Sequence, residues 1–205
     1  MKIEEKRDPE SKPASLSSSF RLLTNPWVAS MVLGIFLYVG AEVSMSAQTP
    51  ILMDKVYGIK GLELWVSWAL FFLPIFLGRL TGSFILRYLR PVLFLLITVL
   101  LSLVGMLMLF FGSKVFAFAG IFIIGLGFAN IFPLIFSIAV DRMPERANEL
   151  SGLMVTAIVG GAFIPPLTGY LADISVMTGF VVPAACLVYL LLLALGRQKE
   201  VRNSK

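Results

Sequence analysis

Long apolar stretches separated by short polar ones make up most of this chain. The first, residues 27–53, would be about 40 Å long as an α-helix, which exceeds the ~30 Å hydrocarbon core of a bilayer. Five further stretches repeat the pattern, so the sequence predicts six membrane-spanning helices. These predicted spans are residues 27–53, 62–88, 91–111, 115–140, 150–171 and 174–195.

The same pattern divides the chain into three parts. Residues 1–25 mix acidic, basic and small polar side chains, and they predict a cytoplasmic linker-like segment rather than a secretory signal, which needs an apolar centre. Residues 26–195 form the predicted six-helix transmembrane bundle. Residues 196–205 are polar and basic, and we expect them to be a cytoplasmic tail.

The distribution of basic residues predicts the orientation of the bundle. Six spans place both ends of the chain on one side, and that side would carry 13 of the Lys and Arg residues against 3 on the other. Cytoplasmic loops carry the excess of Lys and Arg in membrane proteins. We therefore expect both termini to be cytoplasmic, and the net charge of +5 needs no nucleic-acid partner to explain it.

Composition narrows the chemistry that the chain can perform. The chain is 58% hydrophobic, its mean hydropathy is +0.91, and it has no histidine and one cysteine, Cys186. Imidazole bases and histidine-containing metal sites are therefore excluded, and so is an intrachain disulfide. An intramembrane protease would need a base for its serine or two carboxylates in one site, and only Glu42 lies deep in a span. We expect no enzyme, no metal and no cofactor.

Glu42 is the principal candidate for function because it lies near the middle of the first span. A charge at that depth costs at least ~2.5 kcal/mol, so such residues usually face a wet cavity or a bundle interior. Ser46 and Thr49 lie on the same helical face, and Gln48 widens the polar zone. Pro50 lacks an amide hydrogen, which predicts a broken turn there. The alternative is a protonated glutamate that only links helices.

The fourth span repeats this combination of a polar group and a proline. Asn130 lies in its middle, and Pro133 leaves the Ala129 carbonyl without its usual helical donor. We interpret the first and fourth spans as paired broken helices that line a pathway, within a repeat of three helices plus three that must be inverted. The alternative for Asn130 is an ordinary interhelical hydrogen bond.

Small residues spaced four apart predict close helix packing in the second and fifth spans. The second span contains Pro74, Gly78 and Gly82. The fifth contains two such rows, Gly152, Thr156 and Gly160, and Gly161, Pro165 and Gly169. Such rows let helix backbones approach closely in lipid, either within this bundle or against another six-helix unit. We assign Gly78, Gly82, Gly160 and Gly161, together with Pro50 and Pro133, to hinges and gates; generic packing is the alternative for any one of them.

Arg79 is the other charged residue inside a predicted span. Extension of its side chain toward the interface covers part of its depth, and a partner must supply the rest. Two partners are available: Asp141 at the end of the fourth span, or carbonyl groups at a helix end. We expect Arg79 to act as a gating or structural clamp rather than as a solute ligand.

These residues resemble the major facilitator superfamily, and most closely its fucose permease branch, which includes bacterial glucose/galactose transporters. The resemblance extends over residues 20–195 and corresponds to the carboxyl-terminal half, the seventh to twelfth helices. Four stretches carry it: YVGAEVS (38–44), GRLTG (78–82), GFANIFPLIFSIAVD (127–141) and SGLMVTAIVGGAFIPPLTGYLAD (151–173). The family usually has an acidic residue where this chain has Gly82, whereas Arg79 is in place.

The resemblance implies an all-α membrane protein that is one half of a major facilitator fold. It further implies proton-coupled sugar uptake across the bacterial inner membrane, with lipid, a sugar, protons and a second six-helix half as partners. The main proton-carrying acids of the family lie in that other half, so Glu42 is expected to line or gate the cavity. A truncated non-transporting fragment and a carrier of another small solute are the alternatives, and the choice between proton coupling, sodium coupling and uniport stays open.

Overall fold

The computed structural model describes residues 16–61, 64–111 and 113–203, and the predictions made for residues 1–15 lie outside these ranges. The described chain contains six helical segments long and apolar enough to cross a membrane, as predicted. A short helix, α1 (Leu16–Arg21), precedes them. The first three spans are single helices: α2 (Pro26–Lys55), α3 (Leu64–Ile85) and α4 (Pro91–Phe110).

The last three spans are each divided into two helices. The fourth comprises α5 and α6, which meet at a turn formed by Ala129 and Asn130. A 3₁₀ turn (Ala157–Val159) separates the halves of the fifth. The bounds are α5 (Lys114–Phe128), α6 (Ile131–Arg142), α7 (Ala147–Thr156), α8 (Gly160–Ala172), α9 (Val176–Gly179) and α10 (Val181–Asn203).

The beginnings of two spans follow directly from the sequence. The side chain of Asn25 accepts a hydrogen bond from the Trp27 amide at 2.9 Å, and Pro26 occupies the first helical position of α2. Proline suits that position because its missing amide hydrogen is not needed there. Pro91 opens α4 in the same way.

Two differences from the predicted helix limits have physical reasons. Within Pro26–Lys55 the helix continues through Pro50, so the predicted broken turn is absent there and only the fourth of the two paired spans is divided. Local adjustments and neighbouring groups commonly compensate for proline in a membrane helix. The last helix, α10, extends eight residues past the predicted span, to Asn203, and an Arg197–Glu200 ion pair of 3.0 Å supports this additional part.

The first span lies at the centre of the bundle. It packs against α3, α6, α8 and α10, while α4 packs against α5 and α10. Its large inward side chains, such as Met31, Ile35 and Tyr38, are completely or almost completely buried. The second and fifth spans are the least buried by the rest of the bundle. Of the residues in the most hydrophobic part of each, 28% are buried, against 44–56% in the other four spans. One face of each therefore remains available outside the bundle.

The predicted glycine rows pack inside this chain. A side-chain carbon at Gly78 would meet Ala129 of the fourth span, and one at Gly160 would overlap the Phe36 carbonyl of α2. The close approach at Gly78 and Gly160 therefore serves contacts within the six-helix bundle. Two further glycines of the fifth span, Gly152 and Gly169, have nothing within 4 Å of such a carbon.

Candidate functional site

Glu42 meets Arg79 at the boundary between the first two spans. The Glu42 Oε1 atom lies 3.6 Å from Arg79 Nη2, and the two side chains are 20% and 53% exposed respectively. Val43, Ala47 and Ile51 continue the exposed face of α2 beside Glu42. The carboxylate is therefore neither sealed in the apolar core nor alone, because a cation on the neighbouring helix offsets its charge.

Arg79 also holds the interruption in the fourth span. Its Nε group donates a hydrogen bond of 3.2 Å to the Ala129 carbonyl. That contact is one of the two partners considered above; the other, Asp141, instead accepts a hydrogen bond from Ser137 Oγ at 3.1 Å. The pairing with Glu42 was missed by sequence reasoning. The sequence could have suggested this pairing, because charged residues inside membrane spans usually pair with one another.

The interruption between α5 and α6 exposes backbone carbonyls that side chains satisfy. Pro133 cannot donate to the Ala129 carbonyl, and Arg79 occupies that position instead. The preceding carbonyl, that of Phe128, accepts a buried hydrogen bond of 2.9 Å from the Tyr38 hydroxyl. Side chains from α2 and α3 thus satisfy both carbonyls, and the turn depends on these contacts because unsatisfied carbonyls are costly in lipid.

Asn130 forms a second hydrogen bond between the second and fourth spans, in the opposite direction to that of Arg79. Its Nδ2 atom donates a hydrogen bond of 2.8 Å to the Gly78 carbonyl, and the residue is 7% exposed. Its amide lies where a side chain at position 82 would be, and a carbon added to Gly82 would overlap Asn130 Oδ1. The contact is the interhelical hydrogen bond considered above, and it gives a physical reason for glycine at position 82.

The other polar residues predicted in α2 do not converge on Glu42. Ser46 is partly exposed and donates to the Val43 carbonyl at 2.8 Å, whereas Thr49 is fully buried and donates to the Met45 carbonyl. Gln48 is 4% exposed, and its Oε1 atom has no hydrogen-bond partner among the described residues. The predicted polar stripe is thus divided between an accessible end at Glu42 and Ser46 and a buried end.

The fifth span approaches α2 next to Glu42. A carbon added to Gly161 would lie 3.2 Å from a Val43 side-chain atom, and Gly160 adjoins the α2 backbone. Farther along the same pair of helices, Thr168 Oγ1 donates to Ser44 Oγ at 3.0 Å in a buried contact. Sequence reasoning missed this pair because small hydroxyl residues are common in membrane helices and carry no depth penalty of their own.

Comparison with known proteins places this arrangement in a family. The profile of the Major Facilitator Superfamily matches residues 2–166, which is most of the chain. The chain therefore belongs to the major facilitator superfamily, a family of transporters rather than enzymes.

The curated relatives include named sugar transporters. The chain is 32% identical over 181 residues to a putative glucose/galactose transporter of Helicobacter pylori, a match covering 84% of this chain and 44% of the relative. It is 32% identical over 161 residues to a glucose/galactose transporter of Brucella abortus (77% and 39%). It is 26% identical over 208 residues to the L-fucose-proton symporter of Escherichia coli (93% and 43%). The chain thus spans less than half the length of these relatives.

The solved structures agree with the fold prediction. The crystal structure of the Escherichia coli fucose:proton symporter superimposes with a TM-score of 0.80 at 22% identity, covering 92% of this chain and 47% of that one. The six spans therefore have the fold of one half of a major facilitator transporter, as the sequence predicted.

Proposed function

We propose that this chain forms the carboxyl-terminal half of a sugar carrier in the bacterial inner membrane, of the proton-coupled fucose, glucose or galactose type. The relatives' names support sugar as the solute class. The observation that carries the proposal is the partly exposed Glu42–Arg79 pair, which connects an accessible face of α2 to the divided fourth span. A buried structural ion pair would not need that accessibility.

The contacts suggest how such a pair would couple solute or proton binding to movement. The negative charge on Glu42 attracts the Arg79 guanidinium, and the same guanidinium holds the Ala129 carbonyl. A proton added to Glu42, or a sugar hydroxyl that hydrogen-bonds to it, would weaken that attraction. Arg79 would then hold the α5–α6 turn less firmly, so the fourth span could move against the second. Asn130 would keep the two spans in register.

The orientation and the partner half belong to the same proposal. The excess of Lys and Arg on one side supports cytoplasmic termini. The least covered spans, α3 and α7–α8, both pack against α2, whose exposed stripe begins at Val43. A second six-helix bundle would cover these faces and enclose Glu42 in a cavity between the halves, in which rocking of two inverted-repeat halves gives alternating access.

Sugar counterflow in proteoliposomes tests this proposal. The chain would be reconstituted alone and together with the amino-terminal half of the Helicobacter pylori relative, and exchange of labelled fucose, glucose and galactose would be measured. We expect little exchange by the chain alone and substrate-specific exchange with the partner half. Robust exchange by the chain alone would contradict the half-carrier proposal.

The alternatives give different results in the same assay. A non-transporting fragment is the second candidate, and the chain spans less than half the length of these relatives. A fragment would bind the partner half without restoring exchange of any sugar. A carrier of another small solute would restore exchange only when the panel is widened beyond sugars.

A further inference from the structure

A small aromatic pocket lies between the first two spans, at the end of the bundle where α2 ends and α3 begins. It has a volume of about 270 Å³ and is lined by Pro50, Gly61, Trp65 and Trp68. The space around Gly61 is open, because a carbon added there would meet no atom within 4 Å. The distribution of Lys and Arg predicts that this end of the bundle faces away from the cytoplasm.

The two tryptophans begin a row of aromatic rings along one face of α3. Trp65 and Trp68 pack edge to face with their ring centroids 5.9 Å apart, and Trp68 packs in the same way on Phe72 at 6.1 Å. Phe76 follows at the next four-residue interval, and Arg79 lies three residues beyond it on the same face. The row therefore leads along α3 from the pocket to the arginine of the ion pair.

The opposite wall of the pocket belongs to the helical face that carries Glu42. Glu42, Ser46 and Pro50 are spaced four residues apart, so they lie on one face of α2. By helical rise, Pro50 is about 12 Å from Glu42 along its helix, and Trp68 is about 16 Å from Arg79 along the next. The pocket and the Glu42–Arg79 pair are therefore two levels of the same boundary between α2 and α3.

The pocket presents exposed aromatic rings and unused hydrogen-bond donors. Trp65 and Trp68 are 67% and 47% exposed, although their edge-to-face contact fixes the orientation of the rings. Neither indole N–H donates to a residue in the described part of the chain, whereas the Trp27 N–H at the other end of the bundle donates to Glu200. Tryptophans that only anchor a helix face the lipid headgroups, but these two also form a pocket wall opposite α2.

We propose that this pocket is an outer binding site for the ring of a monosaccharide that moves to or from the Glu42–Arg79 pair. One face of a pyranose ring carries C–H groups, which pack on the electron-rich face of an aromatic ring, and its hydroxyl oxygens accept from donors such as an indole N–H. The volume is below the roughly 300–1,000 Å³ of sites that enclose drug-sized ligands, which suits a single sugar ring. The inference rests on the proposed sugar-carrier function and adds a site to it.

Saturation-transfer NMR of the full chain in lipid nanodiscs tests the site directly. Galactose, glucose and fucose would be added separately, with mannitol as the control probe, because mannitol has the hydroxyl groups of a hexose but no ring. We expect transfer to the ring C–H protons of at least one sugar and none to mannitol. Trp68→Ala should lose most of this transfer, whereas Phe116→Ala should keep it. Phe116 is the matched control because its ring is also about half exposed, packs on Phe111 at 6.0 Å and lies at the beginning of α5.

Sugar exchange by the chain reconstituted with a partner half tests the same residue during transport. Trp68→Ala should raise the KM about tenfold because a stacking contact with the sugar is lost. The kcat should stay near the wild-type value, because Trp68 lies about 16 Å from Arg79 by helical rise. A folding defect would lower kcat as well. Trp68→Phe keeps an aromatic face, so it should give an intermediate KM and serves if the alanine variant does not fold.

Failure of the outer site and failure of the carrier proposal give different results. If exchange is normal and Trp68→Ala matches Phe116→Ala in both measurements, the outer site is overturned and the carrier proposal stands. If no partner half restores exchange but the sugar signals still depend on Trp68, the carrier proposal fails and the site stands. Absence of saturation transfer from the wild-type chain to all three sugars would also overturn the site.

Discussion

Gly82→Ala is the substitution that most directly tests how the fourth span is held. The added methyl group would overlap the side-chain amide of Asn130, which lies over Gly82 and donates to the Gly78 carbonyl at 2.8 Å. Because Asn130 is a side chain and not backbone, it can rotate away. Rotation, however, would break its hydrogen bond and leave the amide unsatisfied in a site where the residue is 7% exposed.

The magnitude follows from these two costs. Interhelical hydrogen bonds in a membrane contribute ~0.6 kcal/mol on average and up to ~1.7 kcal/mol. A buried polar group left without a partner costs about 1–3 kcal/mol, so Gly82→Ala should destabilise the bundle by about 1–3 kcal/mol. In an Asn130→Ala background the overlap is gone, and the better helix propensity of alanine, worth about 1 kcal/mol, should make the same change neutral or stabilising.

The chain provides its own reporter for this double-mutant cycle. Cys186 is the only cysteine and is 5% exposed, so a thiol-reactive dye should label it mainly after unfolding. Gly169→Ala is the matched control, because it places the same methyl group on another helix with nothing within 4 Å. Gly82→Ala melting like Gly169→Ala, or an equal penalty with and without Asn130, would refute the proposed contact.

Three further substitutions test the connections around the pair of charges. In the carrier reconstituted with a partner half, Glu42→Gln should abolish sugar exchange or remove its pH dependence, measured as uptake across a pH series; unchanged uptake and pH dependence would reduce Glu42 to a helix-linking role. Tyr38→Phe should destabilise the bundle by about 1–3 kcal/mol in the dye assay, because it leaves the buried Phe128 carbonyl unsatisfied. Arg79→Gln should lower sugar exchange far more than Arg87→Gln. Both variants lose one positive charge, but the native Arg87 guanidinium lies over the Phe84 ring.

The membrane-spanning pattern was predictable because it rests on composition over long windows. The first span, predicted from residue 27, begins at Pro26, whose missing amide hydrogen suits the first position of a helix. The end of α10 was not, since hydropathy marks where apolar residues stop and not where helical hydrogen bonding stops. The continuation of α2 through Pro50 depends on its neighbours, which a single-helix argument cannot supply.

The candidate site was predictable residue by residue but not as an arrangement. Glu42 and Arg79 were each identified by the cost of a charge at membrane depth, and Asn130 by its place in the middle of a span, three residues before Pro133. By helical rise Glu42 lies about 22 Å from Trp27 and Arg79 about 12 Å from Arg87, so their positions in the sequence do not by themselves make the two charges neighbours. The length of the arginine side chain bridges that difference, and helix order determines which charges become neighbours.

The geometry of the pair explains why it suits movement better than permanent attachment. A lone carboxylate at this depth would be unstable, so Glu42 needs Arg79 even in the resting chain. Yet the atoms are 3.6 Å apart, and the arginine side chain is 53% exposed, so the bundle itself does not enclose the pair. The firmer contacts of the divided span are the neutral ones, from Tyr38 at 2.9 Å and Asn130 at 2.8 Å. A weak ionic contact between two firm neutral ones could open without unfolding the bundle, as the proposed coupling requires.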